Sequence, residues 1–573
     1  MLFNMFVRPD KHRMALWRLQ CDTAHRLGLR LTQFLAPGQL GDEDVMALCR
    51  EDSARYGDEL GIWLTPDGGA HGSRIWLLRQ EDKRRAVQKA VDAYERALGY
   101  PPASVGNYVM DAALIRIVHE LAPSVTGCVA GCFEEGVKVY HGCNHSWYLF
   151  SEGMSWAPWY PSREHSLRPA ADAEDWSGVV AVPHLCRDLV FGYESRNDFF
   201  ASHPANVQRG LANEGLVHAY DFNLCDQYRM QEDFNATPSY YQIHVSSGWL
   251  SGNPNILDTD EVTQQLYRET LEYIASLRDA GELVSMTLSE FAAEYRRTVP
   301  IGGQSVAVGK DILMDSGKQY FWVIDPGYRV LVDLFQGGTI GDLRPYAGRY
   351  AAFTGPDAPT GRYDMNSYPY LIQSQYRTGY KTHSRDGSRT TLLLSHGGEQ
   401  RDLCAYNTRI ASVERTEAGG SRLTLEPVTV VFSDGVSVTV QTVYDFCPEG
   451  RIGMIRRLLS AAPEDLRLTE YVKGCYGFTE YPEDMKTLRL CVDGAPQALF
   501  DYDRTVVDAE GGSTVSVVIP PISTELALMG EGAAHMSVRE GELFDPFYTL
   551  QAEFSAADRK EYVTWLSIRH APV

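Results

Sequence analysis

The stretch from Gly127 to His165, GCVAGCFEEGVKVYHGCNHSWYLFSEGMSWAPWYPSREH, joins two adjacent carboxylates, Glu134 and Glu135, to three histidines and three tryptophans. Charged side chains are seldom fully buried, and aromatic rings beside polar groups suit a wet, concave surface. A ring stacks on the apolar C–H face of a sugar while polar neighbours take its hydroxyls. The carboxylates add reactivity. Glycoside hydrolysis needs one carboxylate to attack or to activate water, and a second carboxyl to protonate the leaving oxygen. The competing reading is a loop whose aromatics plug an interface and whose Glu-Glu pair is a solvated turn.

Further acids stand just past predicted strand ends: Asp10 in Arg8-Pro9-Asp10, and Asp188 in Pro183-His184-Leu185-Cys186-Arg187-Asp188. Arg187 could bind substrate or pair with Asp188 as a structural ion bridge. His141 and His145 have an H-x3-H spacing, and with His184 or His244 they could hold a metal. Such histidines more often bond sugar hydroxyls, so no metal ligand is assigned and no cofactor is expected, with a divalent ion such as zinc as the alternative. Trp63, Trp147, Trp159 and Trp249 are the expected sugar platforms; alternatively each fills the mouth of a barrel.

These residues need a scaffold, and 573 residues is too long for one core. The net charge of -22 argues against nucleic acid, whose phosphates require clustered Lys and Arg. The opening MLFNMFVRPDKHRM lacks the apolar core of a secretory signal, and no run is long and apolar enough to span a bilayer. Eleven cysteines at scattered spacings, with no CxxC pair, read as reduced thiols. The expectation is a cytoplasmic protein with a carbohydrate substrate, no nucleic-acid or membrane partner, and a homo-oligomer as one possible state.

Strands and helices alternate through the first half. Leu2–Val7, 29–35, 59–64, 104–109, 125–132, 179–182, 216–223 and 240–245 read as strands. Helical spacing covers 14–27, 42–56, 81–98, 111–121 and 260–279, and Thr287-Leu288-Ser289-Glu290 has the capping-box pattern. That alternation means parallel strands with crossover helices. Near Pro300 the grammar changes to strands punctuated by turns such as Asp325-Pro326-Gly327 and Glu510-Gly511-Gly512. The predicted fold class is α/β followed by all-β: a distorted (β/α)7-type barrel over 1–299, then a large β-sandwich over 300–573.

Several runs in the first half are similar to the polysaccharide deacetylase (NodB-type) domain and its relatives, glycoside hydrolase families 38 and 57. Leu29-Arg30-Leu31-Thr32-Gln33-Phe34 resembles the second barrel strand, Tyr56-Gly57-Asp58-Glu59-Leu60-Gly61 the third, Ile243-His244 the last, and LRDAGELVSMTLSEF the closing helix and its tail. The resemblance implies a barrel and a carbohydrate substrate. Departures from it matter. The paired aspartates that usually end the first strand are reduced to Asp10, and the zinc-binding histidines after the third strand would fall at Trp63 and Asp67. A deacetylase needs its metal to activate water. The related glycoside hydrolases use two carboxylates and carry a β-sandwich after the barrel. The resemblance therefore implies a glycoside hydrolase acting on an oligosaccharide or glycoconjugate. Asp221 is the implied partner of Glu134 or Glu135, because the family 57 relatives place an acid on a late strand. Asp67 joins the substrate-binding set. The alternatives are a metal-dependent deacetylase or amidohydrolase with rearranged ligands, and a non-catalytic carbohydrate-binding protein.

Overall fold

Every position of the first strand, β1 (Leu2–Val7), is buried, as expected of a parallel strand covered on both faces. In the computed structural model, β1 lies in a sheet with β2 (Thr32–Leu35), β3 (Glu59–Trp63), β4 (Ser104–Val109), β5 (Gly127–Cys132), β6 (Val180–Pro183) and β7 (Tyr240–Ile243). All pairings are parallel, in the order β6-β5-β4-β3-β2-β1-β7, and the two-residue β8 (Val284–Ser285) adds to β1. Just past β6 the Cys186 N–H donates to the Gln242 carbonyl at 3.0 Å, and the Gln242 side-chain amide donates to the His184 carbonyl at 3.1 Å. These contacts join the outer strands, so the seven form a nearly closed, barrel-like sheet. The structure describes residues 1–64, 75, 78–134, 155–194, 203–215, 219–251, 260–348, 368–374, 388–448, 450–475, 486–542, 547–556 and 559–571.

The helices follow from their end signals and apolar stripes. They are α1 (Met14–Arg26), α2 (Glu43–Tyr56), α3 (Gln80–Leu98), α4 (Ala112–Leu121), the single turn α5 (Phe191–Glu194), α6 (Pro204–Asn213), α7 (Tyr220–Arg229), α8 (Asp260–Asp279) and α9 (Leu288–Thr298). Asp42 caps α2 by accepting from the Val45 N–H at 3.3 Å, and Asp111 caps α4 through the Leu114 N–H at 2.6 Å. Glu290 reaches back to the Thr287 N–H at 2.9 Å, completing its half of the expected capping box at α9. Among the described residues, no helix is long and apolar enough to cross a membrane.

One sequence expectation is corrected here. The run 216–223 was expected to be a late strand carrying Asp221, but Tyr220 onward is the helix α7. Tyr220, Leu224, Cys225, Gln227 and Tyr228 are its buried residues, spaced to fall on one helical face. Asp221 sits in its first turn, where a carboxylate faces the positive end of the helix.

The chain divides into two compact units, the first built on Met1–Ile301 and the second on most of the chain after Gly302. The described part of the second unit forms three antiparallel sheets of five, six and ten strands. Its strands alternate, as in Ser437–Cys447 with Val438, Val440, Tyr444 and Phe446 inward, the pattern of a half-covered antiparallel sheet. A mixed α/β region followed by a β-rich one is what the alternation of strands and helices, and its change near Pro300, predicted.

Candidate functional site

Strands β1, β2, β3 and β7 end at one rim, around a cavity of about 230 Å³ lined by Arg8, Asp10, Phe34, Gln39, Trp63 and Ser247, among others. Ligand sites of parallel barrels form at this C-terminal end, where side chains from several strands converge.

Asp10 is fixed from all sides. Its carboxylate accepts from the Ser247 hydroxyl at 2.6 Å, from the backbone N–H groups of His12 and Arg13 at 3.1 and 3.2 Å, and from the Arg13 guanidinium at 3.4 Å. Partial burial would raise its pKa, but the Ser247 and Arg13 contacts outweigh that and hold it below the ordinary aspartate value. Asp10 is therefore an ionised carboxylate facing a cavity.

Arg8 stands beside it. Its guanidinium carbon lies 4.8 Å from the ring centroids of both Trp63 and Tyr108, which meet edge-on at 86°, so the cation sits in the corner they form. Gly106 on β4 makes room for the indole: a Cβ there would meet Trp63 ring carbons at 2.6 Å. Beneath lies an aromatic layer. Phe6 stacks on His244 with centroids 4.2 Å apart, and His244 meets His184 at 4.3 Å. The Phe6 carbonyl takes a hydrogen bond from His244 Nδ1 at 3.1 Å, which places the proton on that nitrogen. Burial, with help from Arg8, pushes His244 down to about 3, and burial, then His244 and Arg8, takes His184 well below its usual range. Both imidazoles are neutral at physiological pH.

The rim thus brings together Asp10 and Trp63 of the expected set, while His184 and His244 pack in the layer beneath and His244 also lines the cavity that holds Asp221. The others are placed elsewhere. Asp188 accepts from the Val190 and Phe191 N–H groups at 2.8 and 3.0 Å, capping the turn α5, and Arg187 before it is buried. Trp159 is packed edge-on against Phe133 and donates to the Ser166 carbonyl at 2.9 Å. Trp249 stacks on His203 at 4.4 Å, with the Arg209 guanidinium over its ring. Glu134, just past β5, is buried in a left-handed conformation (φ 62°). One of its oxygens accepts from the Ala112 N–H at 2.7 Å and from the Ser166 N–H and hydroxyl at 2.9 Å each. Asp221 lies in a second cavity on the other side of β7, against α6 and α8, where the Thr270 hydroxyl donates to it at 3.1 Å. Burial raises its carboxyl to about 6. Glu135, Asp67, His141, His145 and Trp147 lie outside the described residues. Sequence reasoning passed over Arg8, Tyr108, Gln39 and Ser247; the only signal was the charged triplet Arg8-Pro9-Asp10 after a buried strand.

No protein-family model and no curated protein sequence matches the chain. Among solved structures it is similar to 4-alpha-glucanotransferase from Thermococcus litoralis, at 11% identity over 99% of each chain, with a TM-score of 0.32. It is also similar to a putative aldose 1-epimerase from Klebsiella pneumoniae, at 10% identity over 47% of this chain and 84% of that one, TM-score 0.32. A third is HI1317, at 9% identity over 46% of this chain and all of that one, TM-score 0.30. Likenesses this distant decide neither fold nor activity.

The zinc of the deacetylases finds no ligand set among the described residues of the mouth. Trp63 occupies one expected histidine position, and its indole cannot ligate. Three metal-capable groups do converge elsewhere, at His25, Asp52 and Asp58. That cluster already has its own partners. Arg18 binds both oxygens of Asp52 at 2.6 and 3.1 Å, and Gln33 donates to Asp52 and Asp58 at 3.0 and 2.8 Å. His25 Nε2 closes onto Asp58 at 3.0 Å, and a guanidinium in this position repels a cation. The cluster ties α1, α2 and β2 together.

Proposed function

We propose that the chain is a carbohydrate-active hydrolase that cleaves a glycosidic bond in an oligosaccharide or glycoconjugate at the mouth of its barrel. The observation that carries this reading is the ionised Asp10 sharing one cavity with the indole of Trp63 and the cation of Arg8. A fixed carboxylate in such a cavity suits a pyranose ring, at whose reacting carbon or attacking water it can act. Trp63, 2% exposed with Arg8 over its ring, backs the wall rather than offering a free stacking face. In this reading Asp10 attacks or activates water. The second carboxyl of this reading is Glu135, because Glu134 is buried against Ala112 and Ser166 and Asp188 caps the turn α5. His184 and His244, held neutral, pack beneath the mouth and bring no charge to it.

The test is turnover on a broad panel of glycosides and N-acetyl sugars. Wild type should release a sugar from at least one, and Asp10→Asn, folded as judged by circular dichroism, should lose about a thousandfold in kcat. Glu135→Gln should lose comparably, whereas Glu134→Gln and Asp188→Asn, if folded, should not. Full activity of Asp10→Asn sinks the assignment. No turnover with retained sugar binding would leave a binding protein instead.

A further inference from the structure

Many cationic side chains of this chain are met by carboxylates. Arg18 faces Asp52, Lys83 faces Asp111, Arg168 binds Asp175, Arg344 binds Asp342 and Arg456 binds Glu470. Arg8 is different. Among the described residues, nothing within salt-bridge distance or hydrogen-bonding geometry meets its guanidinium, and its Nε is buried without an acceptor. What holds it are the faces of Trp63 and Tyr108. Ring faces attract a cation but take none of its five N–H bonds, which lie in the guanidinium plane. Asp10, two residues on and lining the same cavity, is committed to Ser247 and Arg13.

A cation fixed by flanking rings, with its donors unspent and a cavity before it, is a preorganised receptor for a planar or tetrahedral anion. It also stands out in a chain of net charge -22, whose overall field disfavours anions unless a local cation receives them. We propose that the mouth recognises an anionic group (a carboxylate, phosphate or sulfate) carried by the sugar, and that Arg8 binds it in a two-pronged contact. The identity of the bearer as a sugar rests on the function proposed above; the anion contact does not. Trp63 and Tyr108 position Arg8 by holding its guanidinium in the corner they form. Lysine, a point charge without a planar fork, is not an equivalent replacement.

Isothermal titration calorimetry on the full chain tests this with glucose, glucuronate, glucose 6-phosphate, glucose 6-sulfate, inorganic phosphate and acetate as probes. The expected result is that at least one charged sugar binds about ten- to a hundredfold more tightly than glucose, with the three charged sugars telling carboxylate, phosphate and sulfate apart. Arg8→Met should erase that preference, and Arg8→Lys should recover only part of it. Arg8→Gln, whose flat amide can keep the aromatic slot filled, serves as a second neutral variant should Arg8→Met fail to fold; it too should lose the preference. If no sugar binds but phosphate or acetate does, and only with Arg8 present, the anion contact stands and the sugar reading fails. Equal affinity for charged and neutral sugars, an unchanged preference in both neutral variants, or no binding of any anionic probe would overturn the proposal.

Discussion

Glu470→Gln should destabilise the second unit by about 3–5 kcal/mol, the usual cost of breaking a buried ion pair on one side. Glu470 accepts two bonds from Arg456, at 2.9 and 2.8 Å, while the third arm of the guanidinium reaches the Thr442 hydroxyl at 2.7 Å. Both side chains are almost completely buried, with 3% and 1% of their surface exposed. The pair also has a structural address. Arg456 lies on strand Arg451–Leu458 of the ten-stranded sheet and Glu470 on Arg467–Gly474 of the six-stranded one, so the contact crosses between sheets. Glutamine keeps the shape but leaves a full positive charge in a desolvated slot. In a unit of this size the loss corresponds to a fall in melting temperature on the order of 10 °C. The matched replacement Arg456→Met with Glu470→Leu should recover most of it, because no charge is then left behind. Scanning calorimetry on the three variants checks this; equal melting points for wild type and Glu470→Gln would contradict it.

Asp221→Asn is expected to act in the opposite direction. Burial raises the Asp221 carboxyl from 3.8 to about 6 in the folded chain. An acid with a raised folded pKa holds its proton longer when folded than when unfolded. Stability therefore falls as pH rises from about 4 to 6, and the full penalty applies above that. The difference between the two pKa values corresponds to about 3 kcal/mol at most. Asparagine removes that penalty and keeps a polar group opposite the Thr270 hydroxyl, so the variant should melt higher at pH 7.5. Its advantage should shrink steadily toward pH 4. An advantage independent of pH would show that the carboxyl does not titrate differently in the two states. A buried acid retained at such a cost is also what a functional group looks like, so turnover should be measured on the same samples.

Much of the barrel was legible in the sequence for a physical reason. Parallel strands buried on both faces are nearly unbroken apolar runs, as in Leu2–Val7, and the intervening helices announce themselves with caps such as Asp42, Asp111 and Thr287. The reading failed at 216–223 because a short aromatic window straddling a helix start has no resolvable period. The mouth was harder. Asp10, His184 and His244 could be suspected from their places after strands, since that is where chemistry sits in such sheets. The Arg8 slot could not, because Trp63 and Tyr108 come from two different strands and nothing local in the chain announces that they will close on one guanidinium. Asp221 was singled out, yet a helix turns it away from the mouth into a separate cavity.

The joint between β6 and β7 sets how the barrel can breathe. Elsewhere neighbouring strands are laced by ladders of main-chain bonds, whereas here the link runs through Cys186, Gln242 and His184 just beyond the strand ends. Parting the sheet at that point breaks no main-chain ladder, so a hinge-like gaping along this line is a low-cost excursion of the native state. His184 and His244 flank it. The floor beneath the mouth therefore lies along the open seam of the cylinder.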